Sequence, residues 1–143
     1  MKSPQSTVSM ADKVALIDSL CAKARILPVI TIAREQDILP LADALAAGGL
    51  TALEVTLRSE FGLKAIQVLR EQRPELCTGA GTVLDRHMLE AATVAGSQFI
   101  VTPGITRDLL EASVHSPIPL LPGISNASGR SEERRVGKEC PRC

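Results

Sequence analysis

A carboxylate, a hydroxyl and a guanidinium recur at every second residue in Leu53-Glu54-Val55-Thr56-Leu57-Arg58. In a β-strand, side chains alternate between faces, so Glu54, Thr56 and Arg58 share one face while Leu53, Val55 and Leu57 share the other. Glu54 and Arg58 also stand four apart and could pair on a helix, but the β-branched residues and the strict alternation favour the strand. Pointed into a closed barrel, that face would bring a base and an anion receptor to one substrate. A carboxylate against a dry barrel wall has its pKa drawn toward neutrality, as general acid/base work requires, and an arginine offers a fork of donors to a substrate carboxylate. The plain alternative is a structural Glu54–Arg58 ion pair without chemistry.

A second stretch, Gly79-Ala80-Gly81-Thr82-Val83, reads as a glycine-flanked turn that exposes backbone N–H groups and lets a ligand approach closely. Taken alone, the glycines read equally as a simple turn and Thr82 as its cap. His87 and His115 have no second ligand near them in sequence, so no metal is expected on them. Cys140 and Cys143 form a single C-x-x-C, too few ligands for zinc, and Cys21 and Cys77 read as reduced, small apolar fillers.

The elements that must position these residues follow from the wider pattern. The 143 residues are one domain's worth, and Lys plus Arg balances Asp plus Glu at 16 each. No global field draws the chain to nucleic acid or to an anionic membrane. No apolar run approaches the roughly 20 residues of a membrane span, and Met1 to Ser9 lacks the apolar core of a signal peptide, which gives a cytoplasmic location by default.

Val14, Leu16, Ile17, Leu20 and Cys21 recur at helical spacing and predict a helix over Met10 to Ala24. Arg25 to Ile32 reads as the first strand. A helix follows over Asp37 to Ala47, with Asp37 as N-cap and Gly48-Gly49 as its end. Thr51 to Leu57 is the second strand. Ser59 can cap a helix over Glu60 to Arg73 that turns Leu63, Ile66, Val68 and Leu69 inward. Strand three is Leu76 to Gly79, and Asp85 caps a helix to Ala95. Phe99 to Val101 is strand four, ending in Thr102-Pro103-Gly104. Thr106 caps a short helix to Ser113, and Ile118 to Leu121 is strand five.

Strands thus recur about every 20 to 25 residues, each followed by a helix, the rhythm of successive βα units. A doubly wound nucleotide-binding sheet should carry a glycine-rich fingerprint after its first strand, and Val29 to Glu35 has no glycine. Short strands with polar or Gly/Pro elements at their C-terminal ends favour the barrel.

Leu53-Glu54-Val55-Thr56-Leu57-Arg58, Gly79-Ala80-Gly81-Thr82-Val83, Thr102-Pro103-Gly104 and Pro119-Leu120-Leu121-Pro122-Gly123-Ile124-Ser125, in that order, resemble the 2-keto-3-deoxy-6-phosphogluconate (KDPG) and 4-hydroxy-2-oxoglutarate aldolase family. The resemblance covers residues 10–129. It implies a truncated (β/α)8 TIM barrel of about five βα units preceded by an N-terminal helix. It also implies a class I aldolase that cleaves a phosphorylated keto acid through a Schiff base, without metal or cofactor. By that resemblance Glu54 is the proton-moving catalytic residue, Arg58 binds the substrate carboxylate, Thr82 is a further substrate-binding residue, and Pro103 lines the same mouth. A homotrimer in the cytoplasm, serving the Entner-Doudoroff pathway of carbohydrate metabolism, is part of the same expectation.

The resemblance lapses after Gly129. There the family should supply its Schiff-base lysine on a sixth strand, and the chain instead runs Arg130 to Cys143, a charged segment with one Val. Residues 1–9 read as a disordered leader and residues 130–143 as a disordered tail foreign to the family. Lys138 is the only lysine after Lys64, and its Gly-Lys-Glu setting is unlike the family's strand. On this reading the chain alone is inactive. The alternatives are a 4-hydroxy-2-oxoglutarate aldolase and a non-catalytic fragment. Five units by themselves leave the first and fifth strands each with an unpaired edge.

Overall fold

The structure, a computed structural model, describes residues 8–125. The expected charged tail and most of the leader lie outside the described residues. Helix α1 (Met10–Lys23) opens with Ser9, whose Oγ accepts from the Asp12 N–H while Asp12 accepts from the Ser9 N–H, a reciprocal cap that satisfies two otherwise free donors.

Four βα repeats and a fifth strand follow among the described residues: β1 (Val29–Ile30), α2 (Ile38–Ala47), β2 (Ala52–Thr56), α3 (Gly62–Gln72), β3 (Cys77–Gly81), α4 (Arg86–Val94), β4 (Ile100–Thr102), α5 (Arg107–His115) and β5 (Leu120–Pro122). All neighbouring strands are parallel, and their order in the sheet is the order in the chain. A doubly wound sheet reverses direction at a switch point. Unreversed order is the arc of a (β/α) barrel, as the spacing led one to expect.

The register divides the sheet into two faces. Leu53, Val55, Ala80 and Ile100 pack with Ala65, Ile66 and Leu69 of α3, with Ala42 of α2 and with Leu89 and Ala92 of α4, in one buried cluster. That is the helix side. The alternate positions form the inner face: Val29 pairs across with Glu54, and Glu54 and Thr56 pair in turn with Gly79 and Gly81. Each fully buried aliphatic side chain on the helix side contributes on the order of 1.5–3 kcal/mol. The helix-side cluster thus holds β2 and β3 in place, and the inner face is left for other work.

Several local expectations need correction. Strand three does not stop at Gly79; it runs to Gly81, so both glycines are strand residues and not a turn. The paired Val55↔Ala80 and Thr56↔Gly81 ladder continues because β2 offers partners that far. Ser59 caps nothing: α3 begins three residues later, at Gly62, and the Ser59 hydroxyl is buried with no hydrogen-bond partner. Asp37 takes the N-cap position of α2, but its side chain makes no capping bond. A 3-10 turn over Glu35–Asp37 leads into the helix, and the Asp37 carboxylate is taken by Arg34 through two bonds of 2.8 and 3.0 Å. Leu63 faces outward at the start of α3, and Ala65 takes the inward place assigned to it. Strand one shortens to Val29–Ile30.

The caps at Asp85 and Thr106 form as predicted, each side chain accepting from the backbone N–H three residues on. Gly49 and Gly96 close α2 and α4 with φ of 88° and 98°, a conformation that costs any other residue about 1–2 kcal/mol. At the other end of the fold, Lys13 of α1 donates from Nζ to the carbonyls of Ser113 and Val114, both at 2.9 Å, in the last turn of α5. The first helix is therefore fastened to α5, the helix of the fourth unit.

Candidate active site

Glu54 stands in the middle of β2, on the inner face, and is only 7% exposed. Its carboxylate is not hydrogen-bonded to any described residue. What makes room for it is Gly81: a β-carbon at that position would run into Glu54 Oε1 and the carbons behind it. The glycine of the neighbouring strand is thus the floor on which the carboxylate lies. Gly79, two residues earlier on the same face, makes equivalent room for the ring of Phe99, which is buried beneath. Two glycines in strand phase with Glu54 therefore shape the inner face, and a turn is not needed to explain them.

Burial pushes the Glu54 pKa above the ordinary carboxylate value, and the positive charge of Arg58 pulls it partly back. Arg58 lies past the end of β2, in the turn that leads to α3, exposed to solvent. Among the described residues no ion pair joins it to Glu54, so the structural-pair alternative is not what the geometry supplies. Its guanidinium is left free to meet an anion. Alternation along the strand carried Thr56 onto the face of Glu54, and there its hydroxyl lies 2.6 Å from that of Thr31 on β1. This contact was not foreseen, because nothing in the sequence sets the register of β1 against β2.

Thr82 follows β3 directly and takes φ of 60°, the one non-glycine residue with positive φ among the described residues. For a β-branched residue that conformation is strained, on the order of 1–3 kcal/mol, and such strain collects at ligand sites. Thr82 is half-buried beside the glycine that carries the Glu54 carboxylate. Pro103 follows β4 and is exposed. Its backbone is pinned from the next strand: Gly123 donates to the Thr102 carbonyl at 2.8 Å, and a β-carbon on Gly123 would approach the Thr102 and Pro103 carbonyl oxygens to 2.6 Å. Arg58, Thr82 and Pro103 therefore lie just beyond the C-terminal ends of three consecutive parallel strands, where barrel enzymes carry their sites, and Glu54 lies mid-strand on β2. Among the described residues no group of three His, Cys, Asp or Glu is placed to hold a metal, and no helix is long and apolar enough to cross a membrane.

Comparison with known proteins follows the same lines. The KDPG and KHG aldolase family model matches residues 17–138. The chain is 61% identical over 120 residues to the 2-dehydro-3-deoxy-phosphogluconate aldolase of Pseudomonas aeruginosa, covering 84% of this chain and 54% of that one. It is 43% identical over 111 residues to the KHG/KDPG aldolase of Escherichia coli K12, covering 78% and 52%. Among solved structures, the KDPG aldolase of Zymomonas mobilis ZM4 with 3-phosphoglycerate superposes with a TM-score of 0.80 at 43% identity, over 85% of this chain and 57% of that one. The Legionella pneumophila enzyme, with pyruvate captured as a covalent carbinolamine, gives 0.81 at 41% identity, over 83% and 58%. The chain spans about half the length of the curated relatives it matches. With five parallel strands in barrel order and this match over most of its length, the chain belongs to the KDPG and KHG aldolase family.

Proposed function

We propose that this chain supplies the pyruvate-handling side of a class I aldolase that cleaves 2-keto-3-deoxy-6-phosphogluconate to pyruvate and glyceraldehyde 3-phosphate. The reading rests most on Glu54, a carboxylate buried on the inner face, unpartnered, raised in pKa, and accommodated only because Gly81 has no side chain. A group so placed can take the C4 hydroxyl proton as the C3–C4 bond breaks and the electrons pass to an iminium. It can then return a proton to C3 of the enamine. Arg58 and Thr82 hold the substrate carboxylate, and Pro103 lines the mouth. The amine that forms the Schiff base comes from beyond the fifth strand. Lys138 is not assigned that role, and the 143-residue chain by itself is proposed to be inactive. A homotrimer in the cytoplasm, acting in the Entner-Doudoroff pathway, belongs to the same proposal.

The name of the Escherichia coli relative carries both substrates, which favours 4-hydroxy-2-oxoglutarate as a second substrate sharing the pyruvate end of the site. The test joins residues 1–125 in frame to the second half of the Pseudomonas aeruginosa relative and follows pyruvate release from KDPG with lactate dehydrogenase. Turnover is expected, with Glu54→Gln lowering kcat by about 10²- to 10⁴-fold and Arg58→Ala acting mainly on KM. Small, equal effects from both would count against the proposal. The 143-residue chain treated with pyruvate and borohydride should show no covalent adduct by mass spectrometry, because the exposed amine of an ordinary lysine is protonated at neutral pH.

A further inference from the structure

Glu54 does not lie over the residue it pairs with. Its register partner on β3 is Gly79, yet its side chain lies over Gly81, one inner-face position nearer the C-terminal ends of the strands. At Gly81 the three atoms nearest to an added β-carbon are Cγ, Cδ and Oε1 of Glu54. At Gly79 the three nearest are Cδ2, Cε2 and Cζ of Phe99, so the aromatic ring covers the partner position. Side chains from the two flanking strands thus divide the bare surface of β3 between them. Neighbouring strands run about 4.8 Å apart, so a ring seated on Gly79 packs beside the root of the Glu54 side chain and takes the space straight across from it. The ring is also held in place through its backbone. The ladder sets Phe99 level with Gly79, since Ala80 pairs with Ile100. Ala80 donates to the Phe99 carbonyl at 3.0 Å, Gln98 donates to the Thr78 carbonyl at 2.8 Å, and the Thr78 N–H donates to Gln98 Oε1 at 3.0 Å. On the other flank Ile100 donates to the Pro119 carbonyl at 2.9 Å.

We infer that Phe99 is a positioning residue for Glu54: by filling the surface over Gly79 it turns the carboxylate toward Gly81 and the mouth of the barrel, and it closes the layer beneath that carboxylate to water. Phe99 is itself 1% exposed, so it acts through Glu54 and not by meeting a substrate. Without the ring, the Glu54 side chain has two bare glycines to lie over, and water gains the space beside its root. The carboxylate then divides between two positions, one of them deeper in the fold than a reacting group can use. A misplacement of about 1 Å in a reacting group already costs on the order of 10²-fold in rate. Desolvation is the larger influence on Glu54, and Arg58, in the turn after β2, is the smaller and opposite one. β1 and β4 carry no titratable side chain, and β3 carries only Cys77, at its start.

The inference deepens the aldolase reading and rests on it for its catalytic meaning, while the seating of Glu54 is measured without turnover. Its test is a direct titration of the Glu54 side-chain carboxyl by ¹³C NMR in the 143-residue chain. Phe99→Leu, which removes the ring, should lower the Glu54 pKa toward the ordinary carboxylate value by about half a unit or more. Adding Gly79→Ala to Phe99→Leu returns a carbon to the place the ring has left and should restore most of that shift, a rescue that general loosening of the core does not give. Amide spectra report whether each variant keeps the fold. If Phe99→Leu does not, Phe99→Met, which thins the cover without emptying it, carries the test with the same direction and a smaller shift. In the joined barrel, Phe99→Leu should lower kcat by about tenfold and leave KM nearly unchanged. An unmoved Glu54 titration in a folded Phe99→Leu or Phe99→Met chain overturns the seating, and so does a shift that Gly79→Ala leaves in place. The two readings fail separately. A titration that moves and is rescued, beside a joined barrel whose turnover ignores Glu54→Gln, removes the aldolase role and leaves the seating standing; turnover that falls with Glu54→Gln, beside an unmoved titration, does the reverse.

Discussion

Glu54 is held in the fold at a cost, and the cost has a definite pH dependence. Burial raises its folded-state pKa above the 4.5 of an ordinary glutamate, so the unfolded chain ionises first as pH increases. The contribution of this group to stability is therefore complete below about pH 4.5 and is lost as pH rises through the folded pKa. Glu54→Gln, which cannot ionise, should raise the unfolding midpoint at neutral pH and make no difference below pH 4.5. Chemical denaturation at fixed protein concentration across that range measures it. A gain over the unmodified chain that is no larger at pH 7 than at pH 4 would show that Glu54 is not strained by burial. A residue kept ionisable where glutamine would be more stable is one whose proton is in use, and Arg58, free of an ion pair, is consistent with the same economy.

At the scale of elements, β3 shows both what sequence reading reaches and where it stops. The alternation in Leu53 to Leu57 was enough to place Glu54 and Thr56 together on one face, because period-two patterning survives any choice of partner strand. The caps at Asp85 and Thr106 were legible for a similar reason: they depend only on residues within one turn. Ser59 and Asp37 misled because a capping side chain competes with other partners, and Arg34 takes Asp37 away. The glycines of β3 misled more deeply. Gly-Ala-Gly reads as a turn when only local flexibility is considered, yet both glycines are in extended strand and serve to admit Phe99 and Glu54 from adjacent strands. That signal is a long-range one, visible only once the register is known. The two positions also differ in what a methyl group would do. Gly79→Ala drives a β-carbon into the ring of the buried Phe99, which has nowhere to turn, and should cost about 1–3 kcal/mol of stability. Gly81→Ala meets the mobile end of Glu54 and should instead lift the carboxylate off its floor, lowering its pKa toward the ordinary value with a smaller loss of stability. Thermal unfolding read beside the Glu54 titration separates them; equal stability losses with an unmoved Glu54 would refute the assignment.

Across the whole molecule, the barrel order was legible from the recurrence of βα units, whereas the contact that ties its first helix to its fifth was not. β1 and β5 form the two outer strands of the described arc, and Val29 on β1 is 62% exposed. Lys13 is 4% exposed and donates to two carbonyls at the C-terminal end of α5, where the helix dipole favours a cation. Burial draws its pKa below the ordinary 10.5, so desolvation opposes the fastening at neutral pH and ceases to do so as pH rises toward 10.5. Against that opposition stand the two bonds from Nζ to the helix end and the burial of the aliphatic stem, which the chain loses together when the side chain is cut back. Lys13→Ala should then lower stability by about 1–3 kcal/mol, and Lys13→Met, which keeps the aliphatic packing and buries no charge, by less. The reading that isolates the fastening is amide hydrogen exchange in α1. Leu16 to Cys21 should exchange faster in both variants while the β2 and β3 amides keep their protection, because α1 is held through Lys13 and the sheet is held by its own helix-side core. If α1 exchanges no faster in either variant, the helix is fixed by other contacts and Lys13 is an ornament of the fold.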